Sequence, residues 1–169
     1  MGQTMRHRGP DGQGFYSDNS LMMGMQRLAI IDVEGGQQPI FNEDRTVAVV
    51  CNGEIYNFRE LRRRLAMRGH TFATRSDSEV IVHLYEEYGT DCVKHLDGMF
   101  AFALWDSRKQ RLLLARDRLG IKPLYLSRDS ARIIFASELK SILRYPGFER
   151  VIDTVAVHEY LALGYVPAP

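Results

Sequence analysis

Cysteine is scarce in this chain: Cys51 and Cys92 are the two in 169 residues. They offer neither a metal-binding spacing nor a disulfide framework. Cys51 sits inside an apolar run and reads as a buried, reduced thiol, which points to a cytoplasmic compartment. Net charge is nearly absent too, with 22 Lys and Arg against 21 Asp and Glu. A chain so balanced presents no overall field for nucleic acid or a membrane surface. It has no apolar span of membrane length and no charged-then-apolar leader. Repeats and low-complexity segments are missing as well. What is present is a chain that is 45% hydrophobic, enough for one domain with a sizeable core.

The chain is organised around residues 47–58. Val47, Ala48, Val49, Val50 and Cys51 form a short apolar run that suits a strand covered on both faces. The strand is expected to stop at Asn52-Gly53, a pair that turns the chain. That ending brings an amide side chain and a bare backbone N–H to one point, where two donors suit an oxyanion. On the dipeptide alone an ordinary turn is the preferred reading, because Asn-Gly is a common turn signal.

Residues 6–14 read as a polar surface loop, with His7 among local ion pairs. Residues 21–26 read as a strand containing Gly24. Arg27 then interrupts apolar sequence, and burying it is costly unless it is paired. It should face a cleft and hold an anion, or meet an internal carboxylate. Turns follow at 35–39 and 42–45. Asn57 and Glu60 form a capping-box pattern before a helix with Phe58, Leu61 and Leu65 on one face, stopped by Gly69. Its arginines, Arg59, Arg62, Arg63, Arg64 and Arg68, read as a solvated face.

A brief strand is expected at 71–74. A second capping box, Ser76 to Glu79, starts a helix that buries Val80, Ile81, Leu84 and Tyr85. Asp77 lies in its first turn, where the helix dipole favours a carboxylate. A helical turn at 91–96 precedes buried strands at 99–105 and 111–116 around a polar hairpin loop. An ion-pair cluster is expected at Arg116, Asp117 and Arg118, with Lys122 beyond it at a possible site edge. A second hairpin pairs 124–126 with 132–136. Ser137 is expected to cap a short helix and Asp153 a last one ending at Gly164. Pattern alone points to an α+β fold.

The run Asn52-Gly53-Glu54-Ile55-Tyr56-Asn57 resembles the strand-end motif of asparagine synthetases, in their glutamine-hydrolysing class II amidotransferase domain. Further stretches agree, in order, over nearly the whole chain. They are Arg6-His7-Arg8-Gly9-Pro10-Asp11-Gly12, Gln26-Arg27-Leu28-Ala29-Ile30-Ile31-Asp32, Ser76-Asp77-x-Glu79, Gly98 to Asp106, Ala115 to Tyr125, and Phe135-Ala136-Ser137-Glu138-x-Lys140. The resemblance implies the four-layer α/β/β/α sandwich of N-terminal-nucleophile hydrolases. It implies hydrolysis of L-glutamine to glutamate and ammonia by a cysteine thiolate. Asn52 and Gly53 would hold the oxyanion. Arg27 would bind the α-carboxylate, a contact that a bidentate guanidinium serves well. Asp77 would hold the α-amino group, with Glu54 beside it. Backbone groups of Leu28, Ala29, Ile30 and Ile31 would line the same pocket. No metal is implied there.

In that family the nucleophile is the first residue of the mature protein, whereas this chain opens Met1-Gly2. The family's first strand and first helix have no counterpart, nor has the Ser-Gly-Gly-x-Asp-Ser phosphate loop of its synthetase half. Residues 1–164 are therefore expected to be a partial amidotransferase domain lacking its first strand and helix. Residues 165–169 would start a linker to a synthetase domain, where ATP and Mg would act on aspartate or a related acceptor. Cys51, buried and without an α-amino base, is no substitute, and neither is Cys92. The fragment is expected to be inactive and, with an edge strand missing, to self-associate or be marginally stable. Two other readings stay open. One is a non-catalytic glutamine-sensing or assembly module; the other is a different class II amidotransferase.

Overall fold

The computed structural model describes residues 1–167. Its centre is an antiparallel sheet in the order β3-β4-β5-β6. The strands are β3 (Ile40–Phe41), β4 (Val47–Ile55), β5 (Gly98–Asp106) and β6 (Arg111–Arg116). Val47–Cys51 of β4 and residues 99–105 of β5 are apolar because both of their faces are covered. One face sets Val49, Cys51, Phe100, Phe102 and Leu104 against α1 (Phe58–Met67) and α2 (Val80–Tyr88), through Leu61, Leu65, Ile81 and Leu84. Each such fully buried aliphatic or aromatic side chain contributes about 1.5–3 kcal/mol. The start of α2 is thereby held firmly against the sheet.

The opposite face carries Ala48, Val50, Ala103 and Trp105. It is covered by two separate ribbons. β1 (Gly12–Ser17) pairs with β2 (Met22–Arg27), and β7 (Tyr125–Arg128) pairs with β8 (Ile133–Ala136). The first ribbon contributes Met23, with Tyr16 and Met25, to this second core, and the other contributes Phe135. Outside the ribbons lie a 3-10 helix, Gly2–Arg8, and α3 (Leu139–Ile142), whose Ile142 packs on Ile134 and Ala136. The order of layers is thus helix, sheet, sheet, helix, as expected, with the second sheet divided into ribbons. α4 (Thr154–Leu163) buries none of its residues. No helix among the described residues is long and apolar enough to cross a membrane.

Several local expectations need correction. β4 does not turn at Asn52-Gly53 but runs on to Ile55, with Gly53 opposite Phe100. A Cβ on Gly53 would lie 2.1 Å from Met99 O, and one on Gly98 2.2 Å from Glu54 O. The glycine at 53 therefore serves close approach of two strands rather than a turn. Asn57 does not cap α1: its amide donates to His95 O and accepts from Asp97 N, tying β4 to the start of β5.

Residues 71–74 form no strand, because carboxylates take their N–H groups. Glu43 accepts from Thr71 N, and Glu79 accepts from Ala73 N and Thr74 N. Glu79 is thereby withdrawn from the expected capping box. Ser76 still caps, accepting from Ser78 N, but it opens a 3-10 turn, Asp77–Glu79, ahead of α2. Asp117 forms no ion-pair cluster. It is buried and accepts backbone N–H groups from Phe100, Leu119, Ile121 and Lys122. Arg116 likewise donates to Gly120 O and Lys122 O. Ser137 is not the cap of α3, which starts after Glu138 with no side-chain cap. Residues 6–14 are not one loop but the end of a 3-10 helix and the start of β1. The partner of His7 is distant in sequence, Glu138 at 3.0 Å. Of the expected linker, residues 168 and 169 lie outside the described residues.

Candidate functional site

A cavity of about 770 Å³ opens between the central sheet and the two ribbons. Arg27, Asn52, Gly53, Glu54 and Asp77 all line it, together with Leu28, Ile30 and Ile31. Ala29 does not; its N–H is held by Asp11 at 2.9 Å. Lys122, Ser76 and Ser78 also line it; the sequence reading gave Ser76 only a capping role and did not name Ser78 for the site.

The outer edge of β4 shapes the floor. Phe100 N–H and C=O are both taken by Asp117. In an antiparallel ladder this makes Gly53–Phe100 a pair without mutual hydrogen bonds. Gly53 N–H therefore points away from β5, toward the edge left open beyond the two residues of β3. Its neighbours along that edge are occupied. Gln38 Oε1 accepts from Cys51 N at 2.7 Å and its amide donates to Cys51 O at 3.0 Å. Asp77 Oδ2 accepts from Ile55 N at 2.7 Å. Between these two clamps, no group among the described residues accepts from Gly53 N–H. Asn52 Nδ2 is fully enclosed and also lacks a hydrogen-bond partner. Two adjacent unpaired donors in a covered cavity form a place for an oxygen bearing negative charge.

Arg27, at the end of β2, is buried. Its guanidinium meets no carboxylate. It donates to the carbonyls of Ile31 (3.0 Å), Asp32 (2.7 Å) and Val33 (2.9 Å). Of the five N–H donors of a guanidinium, one on Nη1 and that on Nε remain without a protein acceptor. Gly36 leaves room for this packing, since a Cβ there would sit 2.8 Å from Nη2. Asp32 joins this wall to the next: Oδ1 accepts from Gly35 N at 3.2 Å and Oδ2 from Arg75 N at 2.8 Å. Arg75 directly precedes Ser76, the cap of the 3-10 turn that carries Asp77. Arg27 and Asp77 thus lie on linked walls, with Asn52 and Gly53 between them.

Neither thiol is poised to attack. Burial pushes the Cys51 thiol up to about 12 and that of Cys92 up to about 11. Among the described residues, one cluster of metal-ligand type occurs, at Glu43, His70, His83 and Glu86, and none of these lines the cavity.

Comparison with known proteins shows the family. The glutamine amidotransferase domain family matches residues 1–169. The chain is 41% identical over 167 residues to asparagine synthetase [glutamine-hydrolyzing] 3 of Bacillus subtilis, covering 97% of the chain and 27% of that relative. To asparagine synthetase [glutamine-hydrolyzing] 1 of Arabidopsis thaliana it is 48% identical over 143 residues, covering 84% of the chain and 24% of the relative. It therefore spans about a quarter of the length of the curated relatives it matches. Among solved structures, glutamine phosphoribosylpyrophosphate amidotransferase from B. subtilis superposes with a TM-score of 0.68 at 21% identity, over 83% of this chain and 38% of that one. This likeness shows that the two share a fold. With a family match along its entire length, the chain belongs to the glutamine amidotransferase domain family.

Proposed function

We propose that this chain is the glutamine-binding part of an asparagine-synthetase-like amidotransferase. The observation that carries the reading is the pair of unpaired donors, Asn52 Nδ2 and Gly53 N–H, set between Arg27 and Asp77 in one cavity. The free N–H groups of Arg27 hold the α-carboxylate of glutamine. The Asp77 carboxylate, with Glu54 beside it, takes the α-amino group. The side-chain amide is then delivered to Asn52 and Gly53. When a thiolate attacks that amide, the developing oxyanion gains both donors, and loss of one such donor costs about 3–4 kcal/mol of transition-state stabilisation.

In the parent enzyme the products are glutamate and ammonia. The ammonia passes to aspartate or a related acceptor, activated by ATP with Mg in a synthetase domain. The buried thiols support the further reading that this chain, by itself, binds glutamine without cleaving it. A glutamine-sensing role would rest on the same binding. The exposed apolar side chains of α4, among them Val155, Leu161 and Leu163, suit contact with the synthetase domain, and in isolation they favour self-association. Light scattering of the purified chain checks this, and a monodisperse monomer at all concentrations overturns it. Two free cysteines and no disulfide suit a cytoplasmic setting.

Calorimetry with L-glutamine tests the central claim. The chain should bind saturably, and Asp77→Asn, which keeps the shape of the Ile55 contact, should weaken binding at least about tenfold. A folded chain without saturable binding, or one unaffected by Asp77→Asn, overturns it. Ammonia release from glutamine by the pure chain overturns the claim that it does not cleave.

A further inference from the structure

Glu43 lies in the turn between β3 and β4, His70 follows α1, and His83 and Glu86 lie on α2. These three segments converge. His83 Nδ1 lies 3.5 Å from Glu43 Oε2 and 3.3 Å from Glu86 Oε2. His70 Nδ1 lies 3.4 Å from Glu43 Oε1 and 3.6 Å from Glu86 Oε2. Both rings thus turn the same nitrogen toward the same two carboxylates.

The spacing is informative. A histidine–carboxylate hydrogen bond closes to about 2.7–3.2 Å, and none of the four spans does so. A tetrahedral ion with bonds of about 2.0–2.2 Å places its ligand atoms about 3.3–3.6 Å apart. The four histidine–carboxylate spans match that, Glu43 through a different oxygen to each ring. One ligand atom from each of the four residues lies within 4.8 Å of the others, so an ion would draw the set slightly inward.

The surroundings point the same way. His70 Nε2 lies 3.1 Å from Glu87 Oε1, an outer carboxylate of the kind that orients a ligand imidazole when the other nitrogen binds an ion. Glu87 is itself held by Arg68. His83 is fully buried; its Nε2 makes no hydrogen bond, the Glu79 Oε1 nearby standing 3.8 Å away. The carboxylates are oriented as well: Thr71 N donates to Glu43 at 2.8 Å, and Asn42 Nδ2 donates to Glu86 Oε1 at 2.8 Å. A ligand carboxylate or imidazole backed by a second polar group is the usual construction of a metal centre.

We propose that Glu43, His70, His83 and Glu86 form a tetrahedral site for a structural Zn²⁺ ion, separate from the glutamine pocket. Two imidazoles and two carboxylates suit Zn²⁺ in ligand type and charge. Four protein ligands leave no open position, so the ion binds without performing chemistry. It joins the β3–β4 turn and the segment after α1 to α2, whose leading turn carries Asp77. No spacing motif announces the site, because its ligands come from three segments that only the fold brings together.

The test uses the full chain, stripped with a chelator and titrated with Zn²⁺ alone and with Co²⁺ alone. One equivalent of Zn²⁺ should bind and raise Tm, and Co²⁺ should give the intense visible absorption of a tetrahedral centre. His70→Ala and Glu86→Gln should abolish both responses while the circular dichroism of the metal-free protein stays unchanged. Glu87→Gln should weaken binding about 10–100-fold, the usual effect of removing an outer partner. Absence of saturable Zn²⁺ binding by the folded parent overturns the proposal. So does a weak octahedral Co²⁺ spectrum, or binding that survives both His70→Ala and Glu86→Gln.

Discussion

The carboxamide of Gln38 bonds both the N–H and the C=O of Cys51, at 2.7 and 3.0 Å. A side chain thereby does for β4 what a neighbouring strand does elsewhere in the sheet. Replacing Gln38 by Glu keeps its size but removes the donor to Cys51 O. The buried carbonyl is then left unpaired, at a cost of about 1–3 kcal/mol. Urea denaturation should show this loss, and glutamine titration a weaker affinity, because the floor beside Gly53 is disturbed. Unchanged stability in Gln38→Glu would remove the strand-mimic argument.

Gly53 and Gly98 lean on each other's strands. Gly53→Ala drives a methyl into Met99 O, and Gly98→Ala drives one into Glu54 O. Both obstacles are backbone, so the strands must part, at about 1–3 kcal/mol for each substitution. The two effects should fall short of additivity, since one displacement relieves both clashes. A double-mutant cycle by chemical denaturation measures this, and strict additivity counts against a shared displacement.

The buried thiols should resist alkylation. With Cys51 pushed up to about 12 by burial, its thiolate fraction near pH 8 is on the order of 1 in 10,000. Iodoacetamide should label neither Cys51 nor Cys92 in the native chain and both in denaturant, as read by mass spectrometry. Fast native labelling of Cys51 would show it accessible, and the case against it as a nucleophile would fall.

Glu138 gives a pH signature. Hydrogen bonding from Lys140, with His7 and Arg8 adding to it, lowers its carboxyl to about 2 from an ordinary value of 4.5. A carboxyl depressed on folding contributes stability that is complete above its unfolded value and is lost as pH falls through the folded one. The Tm difference between the parent and Glu138→Gln should therefore be constant above about pH 5 and shrink progressively toward about pH 2. The other carboxylates titrate in both proteins and cancel. A difference that stays flat through this window would show that the pairing is not formed in solution.

What was legible in the sequence was whatever leaves a periodic or compositional trace. The apolar runs of β4 and β5 and the stripe of Leu61 and Leu65 on α1 stand where expected. Asp153 caps α4 and Gly164 ends it in the left-handed region, also as expected. Arg27 was rightly read as buried and in need of partners, although those partners are carbonyls. The failures share a physical cause. Asn57, Asp117 at Phe100, and Gln38 each satisfy backbone groups of another segment, and Glu79 those of the loop ahead of its own turn. Such a bond depends on where the fold brings a second segment, and neighbouring residues carry no mark of it. Asn57 and Glu79 even fit local capping patterns, which tertiary partners then outcompete.

Asp32 sits at φ 53, a left-handed conformation that a short polar side chain tolerates. One of its oxygens ties down the loop gripped by Arg27, and the other ties the segment leading into Asp77. The two walls are therefore coupled mechanically through one carboxylate, and neither swings without drawing on the other. The cavity behaves as a caliper locked at one opening. An amino acid that fits this gauge meets a site whose ordering is already complete, and one that is too long or too short gains nothing by pushing.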